Sequence, residues 1–431
     1  MKNIYNKVSL SSLIFLSALL FFVSCNKQPE QLPPITPPAY PTGTGIAATL
    51  AANPDYSFYS ALIARAGLAE TLNDNKKTFT LFATDNTGMK IFVNAASGGA
   101  VPLNAPDATF LGFISTVLPV SSAIGIVNYN TVGQQFKAAS IGTSFPNFPL
   151  PSEIILDSVQ SFVRLPIFPV VGNPYSYVNN IPITSVDMAA SNGVIHTTYT
   201  IVAPPQATLK DMIAAEANLS YFRAAVARAD SGSVGLNKFD SLLGYGVTNM
   251  TVLAPNDAAF QQLVYGLVYS QVYAQVYAQV YALTGDTTIA KTQANAQAGG
   301  YANGAVASGP AFFSTNNVST ALVKGILAYH FLASNTSGAY IPDIRVFSVN
   351  FPTTPGFFVK TLVNSSVAVH PGILASPTFT GPVVTGLKFT GYGTFPSGGT
   401  PYTSPAANAV KLDNHGANGV YYIIDAVLLP Q

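Results

Sequence analysis

The strongest constraint on this 431-residue chain is internal: three motifs occur twice, in the same order. Ser57–Ala66 (SFYSALIARA) is echoed by Ser220–Ala229 (SYFRAAVARA), and in both the apolar residues recur at helical spacing, which predicts an amphipathic helix. Thr80–Asn86 (TLFATDN) is echoed by Thr251–Asp257 (TVLAPND), a short apolar strand that runs into a polar turn whose Asp or Asn caps the next helix. In the second copy that helix starts with Ala258-Ala259-Phe260. Asn192-Gly193-Val194 recurs as Asn418-Gly419-Val420, each followed by β-rich sequence ending at Pro204 or Pro430. Asn-Gly before a β-branched run predicts a hairpin, because both residues tolerate positive φ.

Together these motifs resemble a fasciclin-type domain. The second copy carries TVLAPNDAAF, then ILAYHFL at Ile326–Leu332, then NGVYYIIDAVLLP at Asn418–Pro430; the first carries the more divergent TLFATDNTGM and NGVIHTTYTIVAP. The resemblance implies an α+β fold in two fasciclin-like domains, each a wedge of two β-sheets with flanking helices, spanning residues 45–204 and 207–431. It also implies extracellular adhesion or matrix contact, and no catalysis. Tyr329-His330 matches the family's tyrosine–histidine motif, which makes the pair a possible interaction site; the alternative is a His330 hydrogen-bonded inside the fold. In the first copy Ala108–Leu118 is read as occupying the place of that motif, with neither Tyr nor His.

The second copy has an insertion around residues 264–310. Tyr269, Tyr273, Tyr277 and Tyr281 repeat every fourth position, beside a Val stripe (Val268, Val272, Val276, Val280) and a Gln stripe (Gln271, Gln275, Gln279). On a helix the Tyr row advances along one face. It could stack on sugar rings or anchor a protein partner. Alternatively, Val and Tyr pack the helix onto its own domain while Gln meets water, or the repeat is an expansion without a selected role. Ala290 to Gly309, rich in Ala, Gly, Asn and Gln, is read as a flexible loop.

The first residues read as an address. Lys2 and Lys7 precede an apolar run from Leu10 to Val23, then Ser24 and Cys25, the only cysteine. That is the layout of a secretory signal, too short for a membrane span. Phe22-Val23-Ser24-Cys25 resembles a bacterial lipobox, although Phe22 departs from the usual Leu; the resemblance implies cleavage of residues 1–24 and acylation of Cys25. Residues 25–44 carry six prolines from Pro29 to Pro41, the composition of an extended tether.

Charged residues make up 9% of the chain and the net charge is +1. A chain so poor in charge, against about 25% in an average domain, lacks the basic field that nucleic acid requires. No HExxH, phosphate loop or GxSxG elbow occurs, and His196, His330, His370 and His415 lack partners at metal-ligand spacing, so neither catalysis, a cofactor nor a metal is expected. The expectation is a lipoprotein of the cell envelope, anchored at the outer membrane and facing either the periplasm or the cell surface, that binds matrix, a glycan or a surface protein non-covalently. The alternative is an accessory subunit of an outer-membrane uptake or envelope complex.

Overall fold

The computed structural model describes residues 39–142, 145–172, 174–314, 318–392 and 406–430; Cys25, the signal and most of the tether lie outside them. Thr42–Gln431 forms one compact unit, so the two copies share a single body.

The first half contains strands β1 (Phe79–Thr84), β2 (Thr131–Val132), β3 (Leu150–Ile155), β4 (Arg164–Ile167), β5 (Pro169–Val170), β6 (Ser176–Val178), β7 (Ile181–Ala190) and β8 (Gly193–Thr198). They join in the order β4-β3-β2-β1-β8-β7-β6-β5. The second half contains β9 (Met250–Pro255), a small hairpin of β10 (Ser334–Thr336) and β11 (Ala339–Ile341), then β12 (Phe358–Val359), β13 (Ile373–Thr380), β14 (Val383–Gly391), β15 (Ala407–Gly416) and β16 (Gly419–Ile424). Their order is β12-β13-β14-β15-β16-β9, with β15 pairing first to β14 and then to β16 so that it joins two ladders. The helices used below are α1 (Ile46–Ala51), α2 (Ser57–Ala66), α3 (Asn86–Ala96), α4 (Asp107–Gly112), α5 (Val120–Tyr129), α6 (Leu209–Ala215), α7 (Ser220–Ala229), α8 (Asp257–Thr284), α9 (Thr287–Ala307) and α10 (Thr320–His330). The fold is α+β, as expected.

In each half two strands run parallel, β1 with β8 and β9 with β16, in matching register (Phe79 opposite Gly193, Met250 opposite Gly419). All four strands are buried along their length, because each is covered on both faces. Leu81 and Ala83 face the helical core of the first half while Phe82 faces the opposite core. Val252 and Ala254 repeat that division against Leu253 in the second half. Burying each large apolar side chain contributes about 1.5–3 kcal/mol.

Local polar chemistry is duplicated as closely as the strands. Asp85 accepts from Gly88 N and Asn256 from Ala259 N, both at 2.8 Å, capping α3 and α8. The next residue caps a different helix: Asn86 accepts from Phe58 N at the start of α2 and Asp257 from Tyr221 N at the start of α7. Arg65 Nε donates to Leu118 O at 3.0 Å and Arg228 Nε to Val318 O at 3.1 Å. Asp187 and Asp413 both sit at positive φ (61° and 50°), where Asp is among the few side chains tolerated. The chain is one unit, duplicated.

The Asn-Gly hairpins form, with one correction. Ser191-Asn192 and Ala417-Asn418 are the turn residues, and Gly193 and Gly419 already belong to the strands. The asparagines are buried: Asn192 accepts from Ile46 N and donates to Leu72 O, and Asn418 accepts from Leu209 N and donates to Leu243 O. The glycine is required by close approach, since a Cβ on Gly193 (φ +156°) would lie 2.0 Å from Phe79 O.

Candidate interaction sites

Tyr329 and His330 end α10 and are fully buried. The Tyr329 hydroxyl donates to Gly372 O at 2.7 Å and accepts from Tyr392 N at 2.9 Å. His330 Nδ1–H donates to Ile326 O at 2.8 Å, and its Nε2 accepts from Leu428 N at 3.1 Å. Both ring nitrogens of a neutral imidazole are thereby satisfied. Burial drives the His330 pKa from 6.5 down to about 4. The pair fastens a helix end to the last strand's extension and offers no surface to a partner, which corrects the possible interaction role.

The position of the motif in the first half also needs correction. Ala108–Leu118 does not correspond to α10; α5 does, and Ile126–Val132 (IVNYNTV) stands where the second half has Ile326–Leu332 (ILAYHFL). Tyr129 is the buried tyrosine, accepting from Asn179 Nδ2 at 3.1 Å and pushed up to about 12 by burial. Asn130 replaces His330 and donates from Nδ2 to Ile126 O at 2.8 Å and Val202 O at 2.9 Å, fastening the same two segments. An amide does the imidazole's work, a substitution that a search for histidine misses.

The insertion is a helical hairpin, and Ala290 to Gly309 is not a loop but largely α9. Gly285 closes α8 in the left-handed conformation (φ 64°) and Asp286 then caps α9, accepting from Thr288 N and Ile289 N. The 28 residues of α8 extend about 42 Å. At its base Ala259, Phe260 and Val264 enter the second-half core, whereas further out it packs on α9. Ala290, Ala294, Ala298 and Ala302 form a stripe with no exposed surface, which lets the two helices approach closely. The Val and Tyr stripes are mostly half-buried and Gln271, Gln275 and Gln279 largely face solvent, so the packing reading holds, with α9 in place of the domain body.

Tyr265, Tyr269, Tyr273, Tyr277 and Tyr281 form a continuous ladder with ring centroids 5.8–6.0 Å apart and planes within 2–18°. Tyr269 OH donates to Asn295 Oδ1 on α9 at 2.6 Å. The rings run parallel along one side of α8, and Tyr269, Tyr273 and Tyr277 stay partly exposed while Tyr281 is exposed.

Between the halves lies a site absent from the sequence expectations. Arg345 is 1% exposed. Its Nη1 donates to His415 Nε2 at 2.9 Å and Nη2 to Ala417 O at 3.0 Å, while the guanidinium lies 5.0 Å over the Phe168 ring of the first half. Burial, then the Arg345 charge, hold His415 well below the usual histidine range, and burial lowers Arg345 itself to about 10, still a cation at neutral pH. Phe168 packs on Phe347, Tyr129 lies against His415, and Asn180 donates to Asp413 at 3.4 Å. The Arg345 counterpart in the first half is Gln135, because Thr80 and Thr251 each brace the residues flanking that position. Asp413 also accepts from Ser348 N and the Tyr422 hydroxyl, so this buried carboxylate is occupied structurally. Among the described residues no group of three His, Cys, Asp or Glu is placed to hold a metal.

No protein-family model matches the chain, and no curated protein matches it. Among solved structures it aligns with a FAS1 domain pair from the insect cell adhesion molecule fasciclin I, at 12% identity and a TM-score of 0.31, covering 86% of this chain and 96% of that one. The duplication rests on the paired contacts within this chain and not on that alignment.

Proposed function

We propose that the chain is a fasciclin-type interaction module held at the cell envelope by an acylated Cys25, binding a matrix, glycan or surface-protein ligand without transforming it. The observation that carries this reading is the projecting hairpin of α8 and α9, which presents a parallel tyrosine row and a Gln stripe while contacting the body mainly at its base. Charge scarcity supports non-covalent contact through neutral polar and aromatic groups, with little electrostatic steering. A protein partner at the hairpin is the accessory-subunit reading. The test is protease shaving of intact cells followed by pull-down with the full chain and with a variant lacking Tyr265 to Ser308. Surface exposure and a captured ligand are expected. Loss of a co-purifying protein on deletion assigns binding to the hairpin, and failure of the full chain to capture any envelope or matrix component refutes the proposal.

A further inference from the structure

The first half contains an open apolar groove whose counterpart in the second half is narrower. The groove lies between α3, α5 and the segment after β8, with a volume of about 1120 Å3. Its counterpart between α8, α10 and the segment after β16 measures about 280 Å3. Every lining residue of the smaller groove has an equivalent in the larger one, and three of those pairs differ in bulk. Leu267, Leu322 and Leu429 of the second half stand where the first half has Ala96, Ser122 and Ala203. The second half thus narrows its groove with aliphatic side chains, Leu322 among them 46% exposed at its rim, where the first half carries small residues.

We propose that the first-half groove binds the single acyl chain of a fatty acid, with the carboxylate left in water at its mouth. No residue lining it carries a charge, so its electrostatic complement is a neutral hydrocarbon. Its volume slightly exceeds the roughly 300–1,000 Å3 typical of small-ligand sites, which share its mostly apolar lining with a few polar groups, here Ser121, Ser122 and Gln206. Val117, Val120 and Leu156 are exposed around it and extend the apolar surface outward. One wall comes from the bent pair Asp107–Val117 and Val120–Tyr129, which by length and composition alone is apolar enough to pass for a membrane segment. A protein partner fits less well, because no charge at the groove is available to fix its register.

The test is titration of the full, unacylated chain with dansyl-undecanoic acid, read as fluorescence enhancement, alongside the variant Ser122→Leu/Ala203→Leu, which installs the second half's residues. One saturable site is expected in the parent, weakened at least about tenfold in the variant, equivalent to about 1.4 kcal/mol, with an unchanged or higher urea midpoint. Should that variant misfold, the reciprocal Leu322→Ser/Leu429→Ala opens the second groove and is expected to raise the stoichiometry above one. Absence of saturable binding, equal binding by parent and filled variant, or displacement of the probe by a leucine-bearing amphipathic peptide at lower concentration than by palmitate overturns the proposal. So does co-sedimentation with phosphatidylcholine vesicles without binding of the free acid.

Discussion

Replacing His330 by asparagine makes the second half chemically like the first at this position, and its consequence for acid stability follows from geometry. In the folded chain the imidazole is neutral, donating through Nδ1 to Ile326 O and accepting from Leu428 N at Nε2. Protonation would put an N–H where Leu428 N–H already points, in a site without water access. The pKa therefore falls from 6.5 to about 4 on folding. For a group whose folded pKa is depressed, the stability it contributes is present above the unfolded pKa and is lost as pH falls through the folded value. A gap of that size, at about 1.4 kcal/mol per unit, makes the contribution on the order of 3 kcal/mol, lost between pH 6.5 and about 4. His330→Asn retains the bond to Ile326 O, as Asn130 does to Ile126 O. It costs about 1–3 kcal/mol at pH 7 through lost packing but carries no titration. Urea unfolding followed by far-UV circular dichroism at pH 7, 5.5 and 4 measures both chains. His196, His370 and His415 are also shifted downward and give both the same background slope. The parent is expected to lose about 3 kcal/mol more than the variant between pH 7 and pH 4. Parallel stability curves would refute the assignment of a neutral, doubly bonded His330.

Arg345→Ala removes a buried cation and leaves the Ala417 carbonyl unpaired while opening space beside Phe168; a loss of about 3–5 kcal/mol is expected, read as a lower urea midpoint, and a change below about 1 kcal/mol would contradict the role given to this junction. Ala298→Leu overpacks the helical hairpin by about 1–3 kcal/mol; limited proteolysis between Gln271 and Lys291 is expected to accelerate while the main unfolding transition stays in place, and a collapse of that transition would show that the hairpin supports the body.

The elements legible in the sequence are those whose signal is local. Asp85 and Asn256 announce helix starts because a cap needs a short acceptor at one position, and TLFAT and TVLAP read as buried strands because both faces are covered. α9 was illegible because its buried face is alanine, with neighbours (Gly299, Gly300, Gly304) that compose loops elsewhere; the fourfold recurrence of Ala290, Ala294, Ala298 and Ala302 was the available signal. The counterpart of Tyr329-His330 is hidden in the sequence because Asn130 shares with His330 only the bond to the carbonyl four residues back, and joins the strand extension by donating to Val202 O where His330 accepts from Leu428 N. Arg345 could not be read at all, since its partners are carbonyls, an imidazole and a ring drawn from distant segments. The open groove has no local signal, since Ala96, Ser122 and Ala203 are distant in sequence and differ from the other half in bulk.

An interaction module with so few charges is tested most directly by how its binding responds to salt. The purified chain is passed over immobilised envelope and matrix material from its own cells at about 50 mM and about 500 mM salt, a range over which the screening length falls from about 14 Å to about 4 Å. The account predicts reversible capture that changes less than about threefold, because few charges are there to be screened. Capture that vanishes at the higher salt, or material that leaves the surface chemically altered, would contradict it.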